Sequence, residues 1–211
     1  MKSDDLLLYG VTDRRGLGGL SLAEAVRQSL DGGVTFVQLR EKHLGREEFA
    51  AEALTLKALC AEYGVPFVIN DDVELAAEVD ADGVHVGQSD MAAGDVRARI
   101  GEGKILGVSA QTVEQAVAAE KCGADYLGVG AVFPTGSKDD AEDVSYDTLR
   151  DICNAVSIPV IAIGGITAAN AAKLSGSGIC GVAVISAIYC ADDIAKAART
   201  MRVAVEEAVK S

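Results

Sequence analysis

Short apolar runs alternate along this chain with longer stretches in which apolar residues return every three or four positions. The runs are Leu6–Val11, Thr35–Leu39, Pro66–Ile69, Gly83–Val86, Ile105–Val108, Tyr126–Val129, Pro159–Ile163 and Gly181–Ile185. Most show little polar–apolar alternation, which predicts strands buried on both faces, as in a parallel sheet. Between them, Leu22, Ala25, Val26 and Ser29 form one helical face, and Phe49, Ala53, Leu56 and Leu59 another. Further helices are predicted over 72–79, 91–100, 112–122, 145–155, 168–175 and 191–209. Alternating β and α segments imply a parallel sheet. Eight such units predict a closed (β/α)8 TIM barrel, an α/β fold of one domain over residues 1–211. No GxGxxG follows the first run, which argues against a dinucleotide-binding open sheet.

Boundary residues support the segmentation. Ser21 with Glu24, and Thr112 with Gln115, have capping-box spacing. Gly32-Gly33, Gly64, Gly123 and Gly178 follow helices, where left-handed caps are common.

Composition narrows the class. Aromatics make up 4% of the residues and Trp is absent, so the core is expected to be built from Ala, Val, Ile and Leu. A net charge of −13 opposes binding to nucleic acid or to an anionic membrane. It also opposes a phosphorylated substrate, so any anion site must be made locally. The five cysteines show no CxxC pair and are expected to be free, buried thiols in a reducing cytoplasm. No signal peptide is read at the N-terminus, and no apolar run reaches the roughly 18 residues of a membrane span. A cytoplasmic protein is expected. Oligomeric state is not readable, because exposed and interface helices look alike, and a homo-oligomer is compatible with the sequence.

A TIM barrel places its chemistry at the C-terminal ends of its strands. The second run leads into Gln38-Leu39-Arg40-Glu41-Lys42, where alternation puts Gln38, Arg40 and Lys42 on one side and Glu41 on the other. The third ends in Asn70-Asp71-Asp72 and the fourth in His85-Val86-Gly87-Gln88-Ser89-Asp90. Two strand ends thus offer carboxylates to a shared mouth. Asp71 and Asp90 are the candidate ligands for Mg²⁺, which takes one or two carboxylates plus phosphate and water. The competing role is helix capping, which suits Asp72 better than Asp71. The two histidines, His43 and His85, have no zinc-site spacing, and His85 also reads as a strand-end residue whose hydrogen bonds are satisfied.

Ser109 after the fifth run can donate to an anion, but no neighbouring base makes it a nucleophile. The sixth run leads into Val132-Phe133-Pro134-Thr135-Gly136-Ser137-Lys138, whose hydroxyls, glycine and cation suit a phosphate, although it is not a P-loop. Gly164-Gly165 after the seventh run and Ile185-Ser186 after the eighth match the usual phosphate site of barrel enzymes.

In this order, QLREK at 38–42, ND at 70–71, HVGQSD at 85–90, DYLGVGAVFPTGSK at 125–138, GGI at 164–166 and VISAI at 184–188 resemble the thiamine-phosphate synthase family along nearly the whole chain. That resemblance implies a transferase. It joins an aminopyrimidine diphosphate to a thiazole phosphate, with Mg²⁺, and releases diphosphate in thiamine biosynthesis. It implies that Gln38, Arg40, Lys42, Asn70, Ser109 and Lys138 hold the pyrimidine diphosphate, with Leu39 and Glu41 in the same binding segment. Asp71 and Asp90 would hold Mg²⁺. Thr135, Gly136, Ser137, Gly165, Ile185 and Ser186 would hold the thiazole phosphate. Arg40, Lys42, Ser109 and Lys138 would act on the reaction itself.

The chain departs from the family pattern at Ser137, often Thr, where the hydroxyl is kept. It departs also at Gln111, often His or a hydroxyl residue, which removes one proton-transfer group. Asp139 and Asp140, directly after Lys138, weaken the local positive field unless they face solvent. The implied mechanism is dissociative. Diphosphate leaves, the ring amino group delocalises the resulting cation, and the thiazole nitrogen attacks, so no protein nucleophile is needed. Two other readings are a thiazole tautomerase of the same barrel family and a non-catalytic phosphometabolite-binding regulator. The retained Arg40, Lys42, Asp71, Asp90 and Lys138 argue against the tautomerase.

Overall fold

The eight apolar runs are strands, and hydrogen bonding closes them into a ring. The computed structural model describes residues 2–88, 90–135 and 143–210. The strands are β1 (Leu8–Val11), β2 (Phe36–Leu39), β3 (Phe67–Asn70), β4 (Gly83–Val86), β5 (Ile105–Ala110), β6 (Tyr126–Val129), β7 (Val160–Ile163) and β8 (Gly181–Val184). Each pairs in parallel with the next, and β8 returns to β1 through Tyr9↔Ala183. The helices are α1 (Leu22–Asp31), α2 (Arg46–Tyr63), α3 (Val73–Glu78), α4 (Ala93–Ile100), α5 (Val113–Lys121), α6 (Tyr146–Ala155), α7 (Ser186–Tyr189) and α8 (Ile194–Val209). No helix among the described residues is long and apolar enough to cross a membrane.

Strand pleating sorts the side chains into two layers. One set, including Val37, Leu39, Ile69, Leu106 and Leu127, packs outward against the helices, where the predicted faces of α1 and α2 are buried. A separate inner cluster fills the barrel with Tyr9, Val11, Phe36, Val68, Tyr126, Ile161 and Ala183. Aliphatic side chains dominate both layers, but each also buries three aromatics: Phe49, Phe67 and Tyr189 in the outer one, Tyr9, Phe36 and Tyr126 in the inner one. The three inner aromatics touch one another, with Tyr9 and Phe36 centroids 4.5 Å apart and Phe36 and Tyr126 5.7 Å apart.

Local chemistry explains where the boundaries shift. The first run begins late because Ser3–Leu6 forms a 3-10 turn, and buried Leu6 joins the inner cluster. Strand β5 runs two residues further than predicted, so Ser109 is part of the strand. The helix predicted over 168–175 is only a 3-10 turn, Ala171–Leu174. There Asn170 Oδ1 accepts from Thr167 N–H at 2.8 Å and its Nδ2 donates to the Gly165 carbonyl at 2.9 Å. Such side-chain bonding gives the backbone an alternative to the helical ladder. The Ser21–Glu24 capping box forms as predicted. The Thr112–Gln115 one forms by half: Thr112 caps the Gln115 N–H, but Gln115 Oε1 accepts from Gln111 N–H instead of Thr112. Gly33, Gly64, Gly123 and Gly178 all take positive φ after their helices.

The five cysteines are free thiols, yet only Cys60 is fully buried, and burial pushes its pKa up to about 12. Cys122 and Cys190 are exposed, because each lies at the C-terminal end of a helix, at the surface.

Candidate active site

The parallel register sets the height of each strand-end residue. Leu39 pairs with Ile69 and Asn70 with His85, so Arg40, one step beyond Leu39, stands level with Asn70 at the mouth. The Arg40 backbone is fixed there. Its N–H donates to Thr12 Oγ1 at 3.0 Å, and Thr12 N–H donates to the Gln38 carbonyl at 3.0 Å. Arg40 lines the central cavity together with Gln38, Tyr9, His85 and Ile185. Most arginines of the chain are spent in ion pairs, among them Arg14, Arg46, Arg97 and Arg99. Among the described residues, the side chains of Arg40 and exposed Lys42 make no hydrogen bond or ion pair.

The residues between them point elsewhere. Leu39 is fully buried in the outer layer, so only its backbone is available to the mouth. The Glu41 carboxylate accepts from Arg14 Nε at 2.5 Å, and Arg14 also pairs with Glu52 of α2. This clasp ties the β1 loop to the β2 loop, consistent with a structural Glu41 on the far side of the segment.

Asp13, just past β1, is buried at the same rim and is gripped by Arg15 through Nε and Nη2 at 2.6–3.1 Å. Burial favours its uncharged form, but the Arg15 hydrogen bonds and the charges of Arg15 and Arg40 outweigh it and hold its pKa below the ordinary 3.8. A depressed carboxylate contributes stability above its unfolded pKa, and that contribution is lost as pH falls through the lower folded value. Asp13→Asn is therefore expected to flatten the acid limb of a melting-temperature profile below pH 3.8. Coincident acid limbs in the two proteins would contradict this.

Asp71 and Asp90 lie at the ends of adjacent strands, both exposed at the rim. Asp71 has φ 60, a left-handed conformation that Asp tolerates better than most residues. It sits in a tight turn closed by Asp72 N–H to the Asn70 carbonyl at 2.7 Å, and its own N–H donates to the His85 carbonyl at 2.9 Å. Asp72 is the cap of α3, accepting from Leu75 N–H at 2.7 Å, as expected. Asp90 does not cap α4, whose N-cap is Ala92. Its Oδ2 instead accepts from Gly87 N–H at 2.7 Å, bracing the β4 loop. The two hard carboxylates suit a divalent ion that takes its remaining ligands from phosphate and water.

On the opposite rim, Gly164 and Gly165 both have positive φ. A Cβ on Gly165 would lie 2.5 Å from the Pro134 carbonyl oxygen and 2.7 Å from that of Phe133. The β7 turn is thus packed directly beneath the loop carrying Thr135. Ile185 precedes the single-turn helix α7, with Ser186 exposed at its start. Gly136, Ser137, Lys138, Asp139 and Asp140 lie outside the described residues.

Inside the mouth runs a feature the sequence reading missed. Gln38 Nε2 donates to Tyr9 Oη at 2.6 Å, Tyr9 Oη bonds Tyr126 Oη at 2.8 Å, Tyr126 Oη bonds His85 Nδ1 at 3.0 Å, and His85 Nε2 bonds Ser109 Oγ at 3.0 Å. His85 is thereby satisfied, as its strand-end reading anticipates. Tyr9 and Tyr126 were legible only as apolar strand residues, since they lie 117 positions apart and nothing local shows that their hydroxyls meet.

A closed β/α barrel with its cations, carboxylates and glycine turns gathered at the C-terminal rim is the architecture of a barrel enzyme. The chain matches the family model described as thiamine monophosphate synthase over residues 8–188. It is 50% identical over 196 residues to a thiamine-phosphate synthase of Clostridium tetani, covering 93% of this chain and 94% of that one. It is 51% identical over 202 residues to one from Ruminiclostridium cellulolyticum, covering 95% and 96%. A solved thiamine phosphate pyrophosphorylase from Pyrococcus furiosus superposes with a TM-score of 0.90 at 42% identity over 98% of each chain. The chain belongs to the thiamine monophosphate synthase family.

Proposed function

We propose that this chain is a thiamine-phosphate synthase, joining 4-amino-2-methyl-5-(diphosphooxymethyl)pyrimidine to 4-methyl-5-(2-phosphooxyethyl)thiazole with release of diphosphate. The observation that carries the reading is the state of Arg40 and Lys42. In a protein of net charge −13, two cations stand at the rim with no ion pair among the described residues, beside the strand ends that carry Asn70, Asp71 and Asp90. Cations not held in an ion pair at a barrel mouth are what a diphosphate requires, and Arg can engage it with two parallel hydrogen bonds.

In this reading Arg40 and Lys42, with Lys138 from the β6 loop, stabilise charge developing on the leaving diphosphate. Gln38, Asn70 and Ser109 orient the pyrimidine. Thr135, Gly136, Ser137, Gly165, Ile185 and Ser186 hold the thiazole phosphate so that its ring nitrogen faces the cationic carbon. Asp71 and Asp90 would hold Mg²⁺, whose charge would help neutralise the diphosphate. Positioning and leaving-group stabilisation supply the catalysis, and no side chain forms a covalent bond.

The test is to mix the protein with both substrates and Mg²⁺. Thiamine phosphate, read by fluorescence after oxidation, and diphosphate are expected in equal amounts. Binding of the thiazole phosphate without release of diphosphate would refute the reading.

A further inference from the structure

We infer that the buried chain Gln38–Tyr9–Tyr126–His85–Ser109 is directional, and that it presents one hydrogen-bond acceptor, Gln38 Oε1, and one donor, the Ser109 hydroxyl, to an uncharged ring in the mouth. Tyr9, Tyr126 and His85 are then positioning residues that fix which polar groups the site accepts. This deepens the proposed function and rests on it for the identity of the ring, an aminopyrimidine carrying both donor and acceptor nitrogens.

The direction follows from counting hydrogens. An amide nitrogen only donates, so the 2.6 Å bond from Gln38 Nε2 makes Tyr9 Oη an acceptor there. The single Tyr9 hydrogen then goes to its other partner, Tyr126 Oη, at 2.8 Å. The Tyr126 hydrogen goes to His85 Nδ1 at 3.0 Å, which must therefore be unprotonated. The ring hydrogen sits on Nε2 and donates to Ser109 Oγ at 3.0 Å. Ser109 accepts within the chain, and its own hydrogen is left for a ligand.

With Gln38 Nε2 on Tyr9, the reverse order would have Tyr126 donate to Tyr9 and leave the Tyr9 hydrogen without an acceptor. Tyr9 is 1% exposed, and a buried orphan donor costs about 1–3 kcal/mol. Hydrogens on both ring nitrogens of His85 orphan the Tyr126 hydrogen in the same way. Burial pushes both tyrosine pKa values well above normal, so each hydroxyl keeps its proton.

At the other end, Gln38 Oε1 has no partner in the described structure, and no buried side-chain oxygen there lacks one, so this atom is open to the cavity. Turning the amide over would set Oε1 against Tyr9 Oη, reverse every bond of the chain and leave a hydrogen on His85 Nδ1, so the His85 tautomer reads which way the amide lies. The ring contacts hold the tyrosines in place, at 5.9 Å between Tyr9 and Tyr126 and 5.5 Å between His85 and Tyr126.

The chain has only two histidines, so ¹⁵N-histidine labelling of the wild-type protein reads His85 directly, with exposed His43 as the internal reference. The expected spectrum shows His85 as the Nε2–H tautomer with an unprotonated Nδ1. An Nδ1–H tautomer, or protons on both nitrogens, would overturn the inference whether or not the protein makes thiamine phosphate. Conversely, the expected tautomer in a protein that forms no thiamine phosphate would leave the directional chain standing and sink the proposed function.

Two variants extend the test. Tyr126→Phe removes the donor to Nδ1 and is expected to give mixed tautomers, with KM for the pyrimidine substrate raised about 3–10-fold and KM for the thiazole substrate unchanged. Tyr9→Phe should keep the wild-type tautomer, because Tyr126 still donates. Equal changes in both KM values in Tyr126→Phe, with the tautomer intact, would reduce the chain to packing.

Discussion

Gly107→Ala is expected to lower the stability of the barrel by about 3 kcal/mol or more, overpacking and lost hydrogen bonds together. The position is on β5 between two neighbours that cannot yield, since Gly107 is paired with His85 on one side and Tyr126 on the other. A Cβ there would stand 2.2 Å from Tyr126 Cζ, 2.3 Å from its Oη and 2.5 Å from His85 Nδ1. These are far inside van der Waals contact, and the atoms met are the middle of the buried hydrogen-bonded chain. Either Tyr126 swings away, breaking its bonds to Tyr9 and His85, or β5 shifts and loosens two ladders. Gly103→Ala is the control, in an exposed turn where a Cβ would meet nothing within 4 Å. It should stay within about 0.5 kcal/mol of wild type. Urea unfolding of the two variants decides the matter, and a Gly107→Ala protein within about 1 kcal/mol of wild type would show that the interior has room it does not display.

Arg40→Ala is expected to cost about 10²–10³ in kcat, by analogy with removal of a single preorganised donor from an oxyanion hole. Its melting temperature should hardly move, because the guanidinium makes no hydrogen bond or ion pair among the described residues. What anchors the residue is its backbone N–H on Thr12, which the substitution keeps. Arg40→Lys should recover part of the rate, since an ammonium supplies the charge without the two-pronged geometry. Diphosphate release under saturating substrates is the measurement. Undiminished turnover in Arg40→Ala would remove the guanidinium from the leaving-group site, and a large loss of stability would mean that it serves the fold instead.

The barrel was legible because its strands are short, continuous and buried on both faces, so that apolar runs and gaps translate directly into β and α. Boundaries drifted where a local polar bond intervened, as at Asn170, whose side chain captures backbone groups that a helix would need. The rim was legible for a different reason. Residues just past each run must lie at one end of a parallel barrel, so Arg40, Asn70, Asp71, Asp90 and Ser186 come to a single mouth without any knowledge of distances. The interior was not legible. Alternation tells that Tyr126 and Gly128 share a side, but not that this side faces inward, nor that a tyrosine on β1 reaches across to it. A low aromatic content suggested an aliphatic filling, whereas three of the few rings present, Tyr9, Phe36 and Tyr126, meet inside the barrel. Glu41 shows the same limit at the rim, because its partner Arg14 and the second carboxylate on that arginine, Glu52, come from two other segments.

The seat of the β7 turn beneath Phe133 and Pro134 has a practical side for anyone hoping to retune this catalyst. Codon randomisation around the mouth will find position 165 closed to every replacement, since even one methyl collides with two backbone oxygens that have nowhere to go. Two residues on, Thr167 is exposed and leaves room for a larger side chain. New specificity for a bulkier phosphorylated acceptor is better written from that side than into the glycine pair itself.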